Sequence, residues 1–178
     1  ISKKMTNLKE KLIECFDSYK DFPEEGILFR DVLPVLKDPD IFDELIESMS
    51  LSKMIKECDA LVGIDARGFL FGTALAIKNK KPLVLARKPG KLPGEIISSS
   101  YKLEYGTNTL CIQKKSIEEF RSFAIIDDLL ATGGTASAVE KLLIEQSKIV
   151  TGLSVVVELE DLGGKNLLSC EVCSQVIF

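Results

Sequence analysis

The sequence predicts an α/β protein whose mainly parallel central sheet is covered by helices on both faces. Apolar segments of strand length alternate with helical patterns along most of the chain, which is typical of parallel strands joined by crossover helices. Two of these strands, at 60–64 and 123–126, are each followed by a glycine-containing turn and then a helical pattern. The 178 residues, 46% of them hydrophobic, are enough for one domain with a large core.

The first part of the chain predicts two helices separated by an irregular segment. Apolar residues recur at near-helical spacing from Met5 to Tyr19, so we expect an amphipathic helix there. Residues 21–36 contain two prolines and a glycine and are expected to be irregular. Asp38 followed by Pro39 is typical of a helix start, because the aspartate can cap the first turn and proline fits its first position.

The rest of the chain predicts alternating strands and helices around a basic loop at 87–94. Strands are expected at 60–64, 82–86, 96–103, 108–113, 123–126, 149–159 and 172–178, and helices at 68–78 and 136–146. Ligands of parallel α/β sheets bind beyond the carboxyl ends of the strands. We therefore expect the loops that start at Asp65, Arg87 and Asp127 to lie at one edge.

Composition excludes several classes of function. The chain has no histidine, which rules out Ser-His-Asp triads and H-E-x-x-H zinc sites and leaves acid–base chemistry to carboxylates, Lys, Tyr or the substrate. The net charge of −4 argues against a nucleic-acid partner. No apolar run approaches the roughly 20 residues of a membrane span, so no membrane partner is expected.

The cysteines indicate a reduced compartment. Their number, five, is odd and their positions are scattered, which fits a cytoplasmic protein better than a disulfide framework. Cys170 and Cys173 have the spacing of a metal or redox pair, but no second pair or histidine completes a zinc site. We therefore expect no chemical role for them.

The segment 123–135 is the most informative part of the chain. A buried strand ends in Asp127 and Asp128, and a loop of small and hydroxyl residues leads into a helix. Backbone N–H groups at a helix start bind anions, helped by the helix dipole. The residues expected to hold a phosphate in this way are Ala131, Thr132, Gly133, Gly134 and Thr135.

The same segment indicates which phosphate it would bind. It lacks the lysine of a P-loop and the G-x-G-x-x-G turn of dinucleotide-binding proteins. Asp127 and Asp128 suit the hydroxyls of a sugar, or a magnesium ion beside it. A 5-phosphorylated ribose would use both the acids and the loop. Two acids before two glycines could also belong to an ordinary strand-to-helix turn, but the complete string is more specific.

A second strand–turn–helix unit predicts a second anion site. Asp65, Ala66, Arg67 and Gly68 follow the strand at 60–64, and Arg67 can bind a phosphate with two parallel hydrogen bonds. The plainer alternative is a surface arginine after a turn. In the basic loop, Arg87, Lys88 and Lys91 could neutralise a departing pyrophosphate, or could simply be solvated. Two anion sites suit a substrate with a phosphate at one end and a pyrophosphate at the other.

Five motifs occur together in a fixed order: Phe22-Pro23-x-x-Gly26-x-x-Phe29-Arg30-Asp31, Gly63 to Phe69, Arg87-Lys88-x-Gly90-Lys91-Leu92-Pro93-Gly94, Tyr101-x-Leu103-Glu104-Tyr105-Gly106 and Asp127 to Thr135. With these motifs the chain resembles the adenine phosphoribosyltransferase family, a branch of the type I phosphoribosyltransferases, from about Phe22 to Leu162. The resemblance implies the type I phosphoribosyltransferase fold in a single domain, 1–178, with a small N-terminal hood at about 1–36 and a flexible lid at about 95–113.

The resemblance also implies an activity. Members of the family transfer the 5-phosphoribosyl group from 5-phosphoribosyl-1-pyrophosphate to adenine, giving AMP and pyrophosphate in purine salvage. They use Mg²⁺, carried mainly by the pyrophosphate and here possible near Asp127, and act as cytoplasmic homodimers. The chain departs from the family's usual Lys-Gly-Arg by reading Gly163-Gly164-Lys165. We expect that departure to touch no catalytic group.

Residue roles follow from the matching positions. The resemblance implies that Glu104 handles the N7 proton of adenine, that Arg67 belongs to the pyrophosphate loop, and that Asp127 and Asp128 flank the ribose. The implied substrate contacts are the base-stacking Phe29, Leu159 on the other face of the base, main-chain groups of Leu28 and Arg30 at the base edge, Asp65, Ala66 and Gly68 at the pyrophosphate, Arg87, Lys88 and Lys91 in the basic loop, Tyr105 in the lid, and residues 131–135.

Two other functions stay open at this point. One is transfer to hypoxanthine or guanine, but the 6-oxopurine enzymes carry an aspartate where this chain has Ala131, and alanine cannot serve N7. The other is a non-catalytic regulator that binds the same sugar phosphate. A regulator would more often show an eroded lid or an added DNA-binding segment, and the motif at 101–106 is intact.

Overall fold

The computed structural model of the chain describes residues 7–102 and 107–178. In chain order its elements are α1 (Leu8–Cys15), β1 (Asp17–Lys20), β2 (Leu28–Asp31), α2 (Pro39–Ser50), α3 (Lys53–Glu57), β3 (Ala60–Ile64), α4 (Gly68–Asn79), β4 (Leu83–Ala86), β5 (Ile96–Lys102), β6 (Thr107–Gln113), α5 (Lys114–Ile117), β7 (Ser122–Leu130), α6 (Gly134–Glu145), β8 (Ile149–Glu158) and β9 (Val172–Ile177). Short 3₁₀ turns occur at Leu33–Lys37, Glu160–Leu162 and Gly164–Leu167.

The central sheet has five strands in the order β4-β3-β7-β8-β9, and all its neighbouring pairs are parallel. Every residue of β3 is buried, as expected for an apolar strand inside a sheet that is covered on both faces. The carboxyl ends of β3, β4 and β7 therefore lie at one edge. This confirms the predicted parallel sheet and the shared edge of the loops after these strands.

Helices cover both faces of the sheet. On one face, buried side chains of α1, α2 and α4, such as Leu12, Leu45 and Phe71, pack in one cluster with strand residues. On the other face, α6 packs with the β5–β6 hairpin, and Val139 and Ile112 belong to that second cluster. The three-layer α/β class predicted from the alternating pattern is confirmed.

The start of α2 also agrees with the sequence. Pro39 is its first residue, and the Asp38 carboxylate accepts hydrogen bonds from the backbone N–H groups of Asp40 and Ile41, both at 3.1 Å. This cap satisfies donors that have no partner within the helix.

The N-terminal part differs from the prediction. The first helix ends at Cys15, and Tyr19 lies in β1, which pairs antiparallel with β2 in the segment expected to be irregular. All four residues of β1 are exposed, so an apolar helical face would have gained no burial there. Hydrogen bonds to β2 instead satisfy the backbone N–H and C=O groups of β1. The sequence around Tyr19 has no periodic pattern that would predict this pairing.

The end of one strand and two short helices also differ from the prediction. Strand β7 continues through Asp127 and Asp128 to Leu130, because it pairs with β8 as far as Glu158. The two acids therefore lie within the strand rather than after its end. The helices α3 and α5, with five and four residues, were not predicted. In the ranges 7–102 and 107–178, no helix is both long and apolar enough to cross a membrane.

Candidate active site

The turn after β3 and the end of β7 touch each other at the carboxyl edge of the sheet. A Cβ atom added to Gly68 would lie 2.7 Å from the carbonyl oxygen of Ile126 and 3.0 Å from Oδ1 of Asp127. Only glycine therefore allows this approach, which brings the first predicted anion-binding turn against the strand that leads into the second. The peptide bond between Asp65 and Ala66 is cis.

The predicted phosphate loop has the geometry of an anion site. Helix α6 begins at Gly134, and Gly133 precedes it with a φ of 85°, a left-handed conformation that glycine adopts without strain. Residues 131–135 line a cavity of about 90 Å³ in front of the helix start. Their backbone N–H groups and the positive end of α6 can bind a phosphate there.

Gly164 forms the back wall of this loop, which the sequence did not indicate. A Cβ atom on Gly164 would overlap the carbonyl oxygen of Ala131, and one on Gly133 would lie 2.9 Å from the Cα of Gly164. The segment in which the chain departs from the family pattern thus packs on the predicted phosphate loop. The adjacent residues Gly163 and Gly164 are the sequence feature that could have indicated this close contact.

Arg67 and Asp128 form an ion pair between the two loops. Nε of Arg67 lies 2.7 Å from Oδ2 of Asp128, and the Asp128 side chain is 6% exposed whereas that of Arg67 is 39% exposed. The guanidinium carbon of Arg67 also lies 5.5 Å from the ring centroid of Phe29. Arg67 therefore connects the predicted pyrophosphate, ribose and base positions.

Asp127 is held differently from Asp128. Its Oδ1 accepts a hydrogen bond of 2.8 Å from the backbone N–H of Asp128. Burial, and next the neighbouring Asp128 carboxylate, raise the pKa of Asp127 well above its ordinary value. A nearby positive charge opposes this shift, because it favours the ionised form of the carboxyl group.

Asp65 anchors the start of the basic loop. Its Oδ2 lies 3.2 Å from Nε of Arg87 and 3.4 Å from the backbone nitrogen of Lys88. Lys88 is exposed and lines a cavity of about 400 Å³ together with Asp65, Tyr101 and Thr135. Lys91 is exposed in the same loop. Arg87 and Lys88 thus lie beside the predicted pyrophosphate turn, and Lys91 lies further along the same loop.

The hood contributes an aromatic site. Phe29 is half-buried and packs edge-to-face on Phe22, with ring centroids 5.1 Å apart. Both rings and Tyr19 line a cavity of about 420 Å³. Tyr19 was not predicted to be a site residue, because the apolar spacing assigned it to a helix. The pairing of β1 with β2 places it opposite Phe29, and the sequence did not indicate that pairing.

The remaining predicted base contacts lie on two elements. Leu28 is exposed and Arg30 half-buried on β2, where Nη1 of Arg30 donates a hydrogen bond of 2.9 Å to Oγ of Ser18. Leu159 follows β8 and is half-buried, and its N–H donates to the carbonyl of Leu130 at 2.9 Å. Leu159 therefore lies next to the end of β7 that leads into the phosphate loop.

The segment predicted to be a lid contains β5 and β6, which pair antiparallel, and β5 contacts the predicted phosphate loop. The hydroxyl of Tyr101 lies 2.8 Å from Oγ1 of Thr135, and a Cβ on Gly134 would be 2.7 Å from the Tyr101 ring. Tyr101 was not among the predicted site residues, although it belongs to the lid motif. Glu104 and Tyr105 lie outside the described residues.

The carboxylates suit magnesium only as a substrate-borne ion. Among residues 7–102 and 107–178, no cluster of three or more His, Cys, Asp or Glu side chains could hold a metal. Asp127 and Asp128 offer two carboxylates at one place, and Mg²⁺ is commonly bound by one or two carboxylates together with substrate phosphates. The donor set therefore fits an ion that arrives with a pyrophosphate.

Comparison with known proteins agrees with this geometry. A phosphoribosyl transferase domain model matches residues 38–158. An adenine phosphoribosyltransferase of Prochlorococcus marinus (strain MIT 9215) is 57% identical over 95% of this chain and 98% of its own length.

Solved structures agree as well. The crystal structure of adenine phosphoribosyltransferase from Thermoanaerobacter pseudethanolicus has a TM-score of 0.90 and 40% identity, covering 97% of this chain and 100% of that one. The Saccharomyces cerevisiae enzyme, complexed with an imino-altritol bisphosphate and adenine, has a TM-score of 0.87 and 36% identity over 94% of this chain and 98% of its own.

Proposed function

Because the chain belongs to the adenine phosphoribosyltransferases of the phosphoribosyl transferase domain family, we infer that it transfers the 5-phosphoribosyl group from 5-phosphoribosyl-1-pyrophosphate to adenine, giving AMP and pyrophosphate. The observation that carries this inference is that the turn after β3 packs on β7 at Gly68 and Asp127, a few residues before the loop at 131–135, so that both predicted anion-binding turns lie at one sheet edge. One substrate with phosphate groups at both ends can bridge them. The loop at 131–135 binds its 5-phosphate, and the turn with Arg67 binds its pyrophosphate.

The reaction exchanges one bond at C1 of the ribose for another. The bond from C1 to the pyrophosphate oxygen breaks with its electron pair leaving on the oxygen, and Arg67 and Lys88 neutralise that charge. Positive charge develops on the sugar, which the carboxylates of Asp127 and Asp128 stabilise. N9 of adenine then forms the new bond, and its N7 proton passes to Glu104. No covalent intermediate with the protein is required.

We assign three further properties as part of the proposal. Asp127 and Asp128 would hold a Mg²⁺ ion that arrives with the pyrophosphate, and the ion would supply positive charge for the leaving group. A homodimer is supported by α4, on which Leu70 and Ile77 are 43% and 75% exposed, an apolar surface that a second copy would cover. The five cysteines, all within the described ranges, are free, and this supports a cytoplasmic location.

A base-selectivity assay tests the proposed function. With 5-phosphoribosyl-1-pyrophosphate and Mg²⁺, we expect radiolabelled adenine to become AMP, and hypoxanthine and guanine to react at least about a hundredfold less efficiently. Each mismatched buried polar contact costs about 1–3 kcal/mol, and a 6-oxopurine mismatches more than one. Equal conversion of hypoxanthine or guanine would identify a 6-oxopurine enzyme. Binding of the sugar substrate without conversion of any base would identify a regulator.

Tyr101→Phe tests the contact between the lid and the phosphate loop. The variant keeps the ring against Gly134 and removes only the hydroxyl that contacts Thr135. One hydrogen bond contributes about 1 kcal/mol, so we expect the KM for 5-phosphoribosyl-1-pyrophosphate to rise about fivefold while the KM for adenine stays constant. Steady-state kinetics with each substrate varied in turn measure both values. An equal rise in the two KM values would contradict a specific role at the phosphate loop.

A further inference from the structure

The ring of Phe178 lies against the side chain of a hood residue. The guanidinium carbon of Arg30 is 4.2 Å from the centroid of that ring, within the range of a cation–π interaction. Nη1 of Arg30 also donates to Ser18 on the neighbouring strand. The Arg30 side chain is therefore held between the β1–β2 hairpin and the end of the central sheet.

The main chain of Phe178 holds a different part of the base site. Its N–H donates to the carbonyl of Glu158 and its carbonyl accepts from the N–H of Glu160, both at 2.9 Å. These two hydrogen bonds flank Leu159. Since the N–H of Leu159 itself donates to Leu130, the backbone at Leu159 is fixed from two neighbouring strand ends.

We propose that Phe178 is a positioning residue for adenine, which sets the distance between the hood wall at residues 28–30 and the opposite wall at Leu159. The proposal rests on the proposed function. The hood strand β1 is exposed along its whole length, so the hairpin has little buried surface to fix its position. The contact of Arg30 with Phe178 supplies an anchor between the hood and the same backbone segment that carries Leu159.

Phe178 acts on the base and not on the sugar phosphate. Its cation–π contact and its main-chain hydrogen bonds reach the hood and residues 158–160, and its ring packs against the core cluster of that face, whereas the phosphate loop is backed by Gly164 and the pyrophosphate turn by Asp127 and Asp128. A loose hood would weaken adenine binding and leave the sugar phosphate site intact. The two KM values therefore separate a positioning role from general destabilisation.

Kinetics of Phe178→Ala test the proposal. A cation–π contact of about 1 kcal/mol corresponds to about a fivefold change, so we expect the KM for adenine to rise fivefold to tenfold while kcat and the KM for 5-phosphoribosyl-1-pyrophosphate stay within about twofold. Phe178→Tyr, which keeps the aromatic face, should behave like the wild type. Phe178→Leu, which keeps apolar volume only, should resemble the alanine variant. Arg30→Met should raise the KM for adenine similarly, and combining it with Phe178→Ala should add little.

Phe120→Ala is the matched control. Phe120 is also half-buried and packs edge-to-face on Phe123, but it precedes β7 at the opposite edge of the sheet. It should lower thermal stability without changing the KM for adenine. If the wild type makes no AMP, the proposed function fails and the positioning role fails with it. If the wild type is active, the positioning role alone is overturned when Phe178→Leu keeps the wild-type KM for adenine, or when both KM values rise equally.

Discussion

Gly133→Ala is expected to raise the KM for 5-phosphoribosyl-1-pyrophosphate by about two orders of magnitude or more. The residue has a φ of 85°, and its added Cβ would lie 2.9 Å from the Cα of Gly164 and closer still to the carbonyl oxygen of that residue. The left-handed conformation alone costs about 1–2 kcal/mol with a side chain present. Because both neighbours are backbone, neither can move aside as a side chain would, and the loop must change shape.

The changed loop would no longer direct its N–H groups at one phosphate. A loss of about 2.7 kcal/mol in binding corresponds to the expected hundredfold effect. Steady-state kinetics and calorimetric titration with the sugar substrate measure it, and circular dichroism establishes that the variant is folded.

Gly26→Ala separates backbone strain from the steric effect. Gly26 has a φ of 85°, the same as Gly133, but a Cβ there would have no neighbour within 4 Å, and it lies in the hood away from the predicted phosphate and pyrophosphate turns. We expect a modest loss of thermal stability and unchanged binding of the sugar substrate. If Gly26→Ala and Gly133→Ala weakened binding of the sugar substrate equally, the assignment of the phosphate to residues 131–135 would be wrong.

Asp128→Asn is expected to lower kcat/KM by about two orders of magnitude in a folded protein. Asparagine keeps the shape of the side chain but removes the charge that holds Arg67 at 2.7 Å. Breaking a buried pair costs about 3–5 kcal/mol, and the lower end applies here because Arg67 is more than one third exposed. The same change removes negative charge from the side of the ribose where positive charge develops.

Glu44→Gln provides the control for Asp128→Asn. Glu44 on α2 pairs with Lys11 on α1 at the same distance of 2.7 Å, but the Glu44 side chain is 46% exposed, whereas that of Asp128 is 6% exposed. Such surface pairs contribute less than about 1 kcal/mol, so no change in kcat/KM is expected. Adding Arg67→Met to Asp128→Asn should lower activity by less than the product of the single effects, since the two residues act together. Independent effects would contradict the role of the pair.

Several parts of the fold and of the site could be predicted because the residues that indicate them are close together in the sequence. Asp38 and Pro39 mark a helix start within two adjacent residues, and the acids, glycines and threonines of 127–135 form one continuous string. Apolar strands alternating with helices are sufficient to predict a parallel sheet, and a parallel sheet brings the loops after β3, β4 and β7 to one edge. The roles of individual residues, such as Phe29 and Glu104, came from the resemblance to a family.

Other parts depend on residues far apart in the chain. Tyr19 belongs to a strand because residues 28–31 offer it hydrogen bonds, and Gly164 must be a glycine because Ala131 and Gly133 pack on it. Neither requirement leaves a periodic pattern near the residue concerned.

The sequence by itself determined the fold class, the strands and main helices of the central sheet, the two turns predicted to bind anions, and the family. Only the tertiary structure decided that Arg67 pairs with Asp128, that Tyr101 reaches Thr135 and that Phe178 contacts Arg30. The physical reason is how far apart in the sequence the interacting residues are. Helix caps, turns and hydrophobic periodicity follow from neighbours within a few residues, whereas these contacts exist only once chain packing has brought separate strands and loops to the same edge of the sheet.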